Sequence, residues 1–334
     1  PPFEMTLLLL TVGLGLASNA YVQSNRLHTG VVQLNSDWTD SFSTEVRGFY
    51  KNYKRGQDPL LGRGFAQMQV CSAPTSDRTV AGAAASASIN CPATNAIVSF
   101  GPEVSRQTNA LRVRTYGGLV QGRLKLGEHD VQAFFEFQDV KTFNSFLQRS
   151  SGDYYFDSLA DFTAGTAQRF RYGNAIPSLV PEDAAANFRY RGFTLGIQDN
   201  WRVSDKLTVN VGGRYDWYAG SSRATINTNF VTRYGFENSK FVDGLGVFQP
   251  RFGFTWKPTS ELTLRGGAGV FAGGTPDVYV SNSFANTGVL TNAIDVQQAN
   301  NGNYAGSGAD NTSGAAILTN VGGTAIPGAA NTLI

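Results

Sequence analysis

The sequence predicts an all-β fold: part of an antiparallel, up-and-down transmembrane β-barrel, with about nine strands and long external loops. Apolar and polar residues alternate over long segments, and the connections between these segments are alternately short and long. Charged residues make up 16 % of the chain, against roughly 25 % in ordinary soluble proteins. Glycine contributes 38 residues, Phe 23 and Tyr 13, yet hydrophobic residues reach only 41 %. Strands with one face toward lipid and one toward water have this composition.

The alternation is clearest between residues 207 and 217. Apolar, aromatic or small residues occupy every second position there: Leu207, Val209, Val211, Gly213, Tyr215 and Trp217. Successive side chains of a strand point to opposite faces, so this segment has one apolar and one polar face. The same pattern recurs in residues 32–50, 120–137, 193–203, 248–256 and 262–270.

The connections predict which ends of the strands lie together. Short polar turns occur near residues 37–40, 127–130, 204–206 and 258–260, and long polar segments occupy residues 55–107, 148–187, 220–246 and 273–334. Bacterial outer-membrane barrels have short periplasmic turns and longer extracellular loops. A soluble β-sandwich is the alternative, but its strands rarely reach eleven residues. We therefore expect the outer membrane of a Gram-negative bacterium, with membrane lipid as a partner.

The apolar run from Met5 to Ala17 is too short for a membrane-spanning helix, which needs about 20 residues. We interpret it as the first barrel strand. A signal-peptide core is the alternative, although no basic residue precedes the run.

Two cysteines, Cys71 and Cys91, lie in one segment rich in Ser, Ala and Thr. In an oxidising compartment they can close a loop worth about 3 kcal/mol in the chain-entropy picture. Two unpaired thiols are the alternative interpretation.

One predicted external loop combines acidic and aromatic residues: Asp153, Tyr154, Tyr155, Phe156 and Asp157. This group could grip a ligand or bind Ca²⁺, or it could be a solvated loop with aromatic anchors. The segment from Asn282 onward and the small-residue run Ala81 to Ser88 are expected to be external segments that form no packed core.

The polar faces of the strands carry charges that should point into the barrel lumen: Arg123, Glu136, Arg202, Arg214, Arg251 and Arg265. In an open pore they would contact water and set selectivity, and in a plugged receptor they would bind the plug.

The sequence predicts no enzymatic activity and no cofactor. It contains no GxSxG elbow, Walker loop or HExxH motif. The two histidines, His28 and His129, have no Cys or His partner at metal-ligand spacing. The net charge of +2, without any run of basic residues, argues against nucleic-acid binding.

Several short motifs, in this order, resemble the Oar-like group of TonB-dependent receptors. They are Phe143-Asn144-Ser145-Phe146-Leu147, Gly152-Asp153-Tyr154-Tyr155-Phe156-Asp157-Ser158, Phe188-Arg189-Tyr190, Gly196-Ile197-Gln198-Asp199, Gly213-Arg214-Tyr215-Asp216, Phe248-Gln249-Pro250-Arg251, Gly273-Gly274-Thr275-Pro276-Asp277-Val278-Tyr279 and Ser281-Asn282-Ser283-Phe284. The resemblance covers most of the chain. Such receptors, which often carry a carboxypeptidase-regulatory-like domain, are energised importers with a barrel of about 22 strands around an N-terminal plug.

The resemblance implies that a ligand binds outside and that the TonB–ExbB–ExbD complex pulls on the plug. This sequence departs from that pattern, because it has no plug, no TonB-box-like segment and no terminal aromatic strand. We therefore expect residues 1–334 to be a fragment of one receptor barrel domain. A passive porin-like channel and a structural or adhesin-type barrel are the alternatives. Peptides, oligosaccharides and metal chelates all remain open as ligands.

Overall fold

The computed structural model describes residues 13–73, 91, 97–274, 277–299 and 303–334. The strands are β1 (Gly13–Gly15), β2 (Tyr21–Asp37), β3 (Phe42–Pro59), β4 (Gln67–Cys71), β5 (Ile97–Phe100), β6 (Thr108–Leu126), β7 (His129–Leu147), β8 (Asp153–Phe156), β9 (Arg169–Ala175), β10 (Ala186–Ser204), β11 (Leu207–Ala219), β12 (Gly246–Trp256), β13 (Leu264–Gly269), β14 (Thr291–Gln298) and β15 (Tyr304–Ala305). The helices are α1 (Leu159–Ala164), α2 (Thr228–Tyr234), α3 (Asp277–Ala285), α4 (Asn311–Leu318) and α5 (Gly328–Leu333).

Eight long strands form one meandering sheet in the order β2-β3-β6-β7-β10-β11-β12-β13. Every neighbouring pair in it is antiparallel. The connections β2–β3, β6–β7, β10–β11 and β12–β13 are short and lie at one end of the sheet. The antiparallel up-and-down architecture predicted from the sequence is confirmed.

One face of this sheet is an exposed apolar surface. The register aligns Val120, Phe135, Leu195, Tyr215 and Phe248 on neighbouring strands, and Val120 and Leu195 are more than half exposed. A continuous apolar surface that extends across five neighbouring strands is unfavourable in water. We call it the apolar band.

The apolar band is nearly as tall as the apolar zone of an outer-membrane barrel. On β11 it runs from Val209, opposite Trp201, to Trp217. These eight residue steps measure about 27 Å along the strand. At a strand tilt of ~40° they cover ~20 Å of the membrane normal, close to the ~25 Å apolar band of outer-membrane barrels.

The interpretation of Met5–Ala17 as the first barrel strand is wrong for the part of it that the structure describes. Gly13–Gly15 forms β1, which pairs in parallel with β5 in a second sheet. A three-residue strand cannot cross the apolar band. The meandering sheet therefore has eight described strands, beginning at Tyr21, and residues 1–12 lie outside the described part of the chain.

The second sheet is built from the long connections, in the order β1-β5-β4-β8-β9-β14-β15. Its largest buried side chains include Tyr154, Phe156, Phe170 and Tyr172, and the Tyr154 and Phe170 rings lie 4.4 Å apart between centroids. We call this sheet, together with α1, α4 and α5, the extracellular layer, because it lies at the end with long connections.

The C-terminal segment also enters this core, contrary to the expectation that residues from Asn282 onward form no packed core. Ile317, Leu318 and Ala330 are fully buried there. Gly314 lets α4 approach Tyr304 so closely that a Cβ atom would collide with the tyrosine. Small residues therefore serve close packing here. The run Ala81 to Ser88 lies outside the described residues.

A second apolar cluster joins α3 to the other face of the meandering sheet, near its long-connection end. Phe284 of α3 packs against Phe188 at 5.1 Å between ring centroids. Asn144 Nδ2 donates a hydrogen bond of 3.1 Å to Ser281 Oγ, and the Tyr190 hydroxyl donates one of 3.2 Å to Asp277 Oδ1. Helix α3 therefore covers part of that face from the extracellular side.

Substituting Phe170→Ala should destabilise the extracellular layer by about 3–5 kcal/mol, because it leaves a cavity in a close-packed aromatic core. Phe236→Ala, at an exposed ring, should change stability by less than about 1 kcal/mol. Protease susceptibility in increasing urea, measured on the refolded protein, gives both values. Equal losses in the two variants would show that Phe170 contributes nothing through burial.

Candidate functional site on the polar face of the sheet

The face opposite the apolar band carries all six charged residues that the sequence predicts for the lumen. Strand register places them there: Arg123, Glu136, Arg202, Arg214, Arg251 and Arg265. They do not form a single cluster. Arg214 Nη1 lies 4.0 Å from Glu136 Oε2, whereas Arg202 pairs with Glu128 at 3.6 Å and Arg123 pairs with Asp130.

A buried polar network on this face is centred on Asp216. Thr194 Oγ1 and Arg214 Nε donate hydrogen bonds of 2.7 and 2.8 Å to Asp216 Oδ1. Gln249 Nε2 donates one of 2.6 Å to Asp216 Oδ2, and Gln249 Oε1 accepts one of 3.0 Å from the Ala272 N–H. Asp216 and Gln249 are buried, so three donors stabilise a carboxylate that solvent barely reaches.

A groove of about 330 Å³ opens beside this network. Arg47, Glu136 and Arg214 line it together with Asp216. Arg47 forms an ion pair with Glu45, and its Nε donates a hydrogen bond of 3.0 Å to Gln33 Oε1. A groove with charges of both signs can bind a polar solute or a polar protein surface.

The sequence placed Thr194, Asp216 and Gln249 on the polar face but not in contact with one another. Their contacts join three strands and span up to 33 residues of sequence. Alternation within a strand predicts which face a residue occupies. It does not predict the residue opposite, which depends on the pairing register.

The predicted ligand loop Asp153, Tyr154, Tyr155, Phe156 and Asp157 is not displayed to solvent. All five residues are at most 2 % exposed, and the first four form strand β8 between β4 and β9. The expectation of a ligand-gripping or solvated loop is therefore wrong, because the aromatic side chains are the core of the extracellular layer.

Asp153 compensates for its burial through two arginines. Arg171 Nη2 and Arg149 Nε both contact Asp153 Oδ2, the latter at 3.5 Å. Burial raises the pKa of the Asp153 carboxyl, and the two positive charges act in the opposite direction. The group therefore has a structural role in linking β8 to β9.

An exposed aromatic cluster lies instead at α2, in the connection between β11 and β12. Phe230 contacts Tyr234 and Phe236 with ring centroids 4.7 and 5.3 Å apart. Tyr234 is 56 % exposed and Phe236 is 62 % exposed. The sequence signal was three aromatic residues within seven positions of a segment interpreted as a long polar loop. We call these residues the α2 aromatic cluster.

Asp199 interrupts the apolar band near the short turns, and His129 explains how it is tolerated. His129 Nδ1 lies 2.6 Å from Asp199 Oδ2, and the imidazole stacks on Trp201 with centroids 5.3 Å apart. The carboxylate thus has a polar partner at the level where amphipathic rings meet lipid headgroups.

Cys71 and Cys91 form a disulfide, with their Cα atoms 5.6 Å apart. Cys71 is buried at the end of β4. The bridge links Cys91 to the end of β4.

In the part of the chain that the structure describes, no group of three or more His, Cys, Asp and Glu residues is arranged to hold a metal ion. No helix within the same residues is long and apolar enough to cross a membrane.

Comparison with known families accounts for the exposed apolar band. Residues 8–333 match the family described as outer membrane beta barrel domain. The chain belongs to the outer-membrane β-barrel family. It is a protein of the Gram-negative outer membrane, and the apolar band of the barrel faces membrane lipid.

Two solved structures show what the barrel is similar to. The outer membrane transporter YddB from Escherichia coli is 11 % identical over 82 % of this chain and 31 % of its own, with a TM-score of 0.45. P. aeruginosa FpvA, solved with heterologous pyoverdines, is 10 % identical over 73 % of this chain and 35 % of its own, with a TM-score of 0.28. This chain thus spans about a third of each protein. No curated protein matches it significantly.

Removing the Asp216 carboxylate should destabilise the barrel by about 2–3 kcal/mol, because three donors lose a charged acceptor. Asp130→Ala is the matched control: Asp130 is also a polar-face aspartate paired with an arginine, but in an exposed pair worth about 1 kcal/mol or less. Urea titration, followed by the mobility shift of folded barrels in SDS gels, compares the two variants. Asp216→Ala unfolding at the same urea concentration as Asp130→Ala would contradict the network's stabilising role.

The disulfide should leave no reactive thiol in protein folded under oxidising conditions, and reduction of the denatured chain should release two. The Cys71→Ser/Cys91→Ser variant should lose about 3 kcal/mol, because the unfolded chain gains the freedom of a closed loop. Reductant should not destabilise this variant further. Equal thiol counts before and after reduction would rule the bridge out.

Proposed function

We propose that this barrel sheet is part of the wall of a TonB-dependent receptor, which binds its ligand outside the cell and imports it through a plugged barrel. The polar face carries this proposal. It combines a buried ion-paired network at Asp216, a groove of mixed charge, and a cover formed by α3 at the extracellular end. A permanently open channel needs a polar wall that water reaches along its length. A covered wall suits a gated transporter, and the motif order of the sequence supports the same family.

The two edges of the sheet support a barrel of more than eight strands. In the described residues, β2 and β13 each pair with a neighbouring strand on one side only. Lipid cannot hydrogen-bond an open strand edge, so a membrane barrel must close. An eight-stranded barrel has an interior just wide enough to be filled by side chains. This wall instead carries long charged side chains on its inner face, including Arg47, Arg214 and Glu136. We infer that additional strands complete the wall around a plug.

The plug is the part through which the TonB–ExbB–ExbD complex would act. The groove beside Asp216 offers charges of both signs to a plug surface, with Arg47 and Arg214 set against Glu136 and Asp216. Ion pairs and hydrogen bonds between the wall and a plug can break and form again without any covalent reaction. The proposed role is therefore transport by conformational change and not catalysis.

The extracellular ligand would contact the α2 aromatic cluster. Exposed rings that pack against one another form a preorganised apolar surface at low cost in side-chain entropy. Such rings suit the apolar faces of peptides, oligosaccharides and metal chelates alike. Arg233 lies 5.8 Å from the Tyr234 ring centroid and adds a positive charge beside the cluster.

A passive channel is the second candidate, because several arginines of the polar face, Arg123 and Arg202 among them, are more than half exposed. Exposed arginines would line a pore selective for anions. The two candidates differ in their dependence on energy.

Ligand uptake should stop when the proton-motive force is dissipated or TonB is deleted, while binding at the cell surface persists. The measurement uses cells that express the complete gene product, with labelled ligand assayed separately for binding and for entry. Planar bilayers containing the purified protein should show no steady conductance. Uptake that continues without TonB, together with anion-selective conductance, would replace the receptor by a passive channel.

The Tyr234→Ala/Phe236→Ala variant should bind the imported ligand about tenfold or more weakly, because two stacking surfaces are lost. Leu159→Ala is the control, since Leu159 is also an exposed apolar side chain and lies on α1 of the extracellular layer. Surface binding to intact cells is the readout, at matched amounts of folded receptor. Unchanged binding by the double variant would remove the α2 aromatic cluster from the site.

A further inference from the structure

Basic side chains occupy the outward face of the barrel beyond the extracellular end of the apolar band. Tyr50 and Tyr116 mark the extracellular limit of that band on β3 and β6. Beyond this level the same face carries Lys54, Arg112, Arg114, Lys141 and Arg189. This is the height at which lipid headgroups of the outer leaflet meet the barrel.

Strand register sets these like charges directly against one another. Lys54 lies opposite Arg112, and Lys141 lies between Arg114 on β6 and Arg189 on β10. Like charges at directly opposed positions of a sheet repel and destabilise it. An anion that lies among these cations reduces the repulsion between them.

The carboxylate closest to these cations in the strand register is already saturated. Arg189 Nη2 and Arg191 Nε lie 2.8 and 3.2 Å from Asp139 Oδ2, and Asp139 is buried beneath them. In the described part of the chain, no carboxylate lies within 4 Å of the side-chain nitrogens of Lys54, Arg112, Arg114 or Lys141. We call these four residues the basic groove; among the described residues they have no carboxylate partner of their own.

The four side chains line a surface groove of about 370 Å³. Tyr50 lies at its lower rim and Phe143 at its side, where the Arg112 guanidinium stands 5.5 Å from the phenyl centroid. Arginine forks match phosphate oxygens in geometry, and lysine adds a point charge. Below Tyr50 the groove runs directly into the apolar band, at Val46 and Val120.

We propose that the basic groove binds the phosphate groups of an outer-leaflet lipid headgroup, with the acyl chains of that lipid lying on the apolar band below. Because the basic groove is continuous with the apolar band, a lipid can contact both surfaces. A soluble anion would contact only the basic groove. Several cations within one groove favour a headgroup with more than one phosphate, such as a bis-phosphorylated glycolipid. This site is on the outside of the wall, so it does not depend on the transport proposal.

The test measures binding of a bis-phosphorylated, acylated glucosamine disaccharide to the full-length protein in detergent micelles, by native mass spectrometry. The unmodified protein should retain this lipid but should not retain the dephosphorylated form of the lipid. Inorganic phosphate at equal phosphate concentration should not displace it. Equal retention of the dephosphorylated lipid would overturn the proposal. So would displacement by inorganic phosphate, which would reveal a site for free anions.

The Arg112→Gln/Arg114→Gln variant should bind the phosphorylated lipid about 30-fold more weakly, because two surface cations are lost. It should fold at least as well as the unmodified protein, since like-charge repulsion is relieved. Lys206→Gln/Lys257→Gln removes two charges at the short-turn end and should leave binding unchanged. An equal loss in both variants would show that only overall charge matters, and would overturn the site.

Discussion

The pairing of backbone groups along one continuous antiparallel register underlies every surface of this barrel. In a bilayer no water is available to N–H and C=O groups, so the strands must bond to one another along their length. Once that register is set, the two-residue repeat assigns each side chain to lipid or to the interior. The apolar band, the network at Asp216 and the basic groove all follow from the same alignment of strands β2 to β13.

The barrel accommodates charge in two physically different ways. At Asp216, on the polar face, three donors saturate one carboxylate within the protein. In the basic groove, the cations oppose one another, and no carboxylate of the described residues lies within 4 Å of them. The first arrangement stabilises the wall by itself. The second needs an anion from outside, and its position at the headgroup level indicates where that anion comes from.

The extracellular layer shows how long connections can be as ordered as the strands they join. Their aromatic residues, including Tyr154 and Phe156, pack inward around small residues such as Ala330 and Gly314. Other aromatic residues of these connections stay exposed, among them the α2 aromatic cluster. The same connections send α3 over the polar face, which links the ligand-facing side of the protein to the interior of the barrel.

The sequence by itself determined the long strands, the end at which the short turns lie, and the face of each charged residue, Arg214 and Arg251 among them. These properties depend on a local two-residue repeat. Only the tertiary structure decided that Tyr154 and Phe156 are buried and that Thr194 and Gln249 meet at Asp216. Those contacts arise between distant segments, as when Gln67 aligns with Asp153 across 86 residues. The composition of a loop is the same whether its aromatic rings face solvent or a partner strand. Only the pairing of its strand with other strands decides whether those rings are buried.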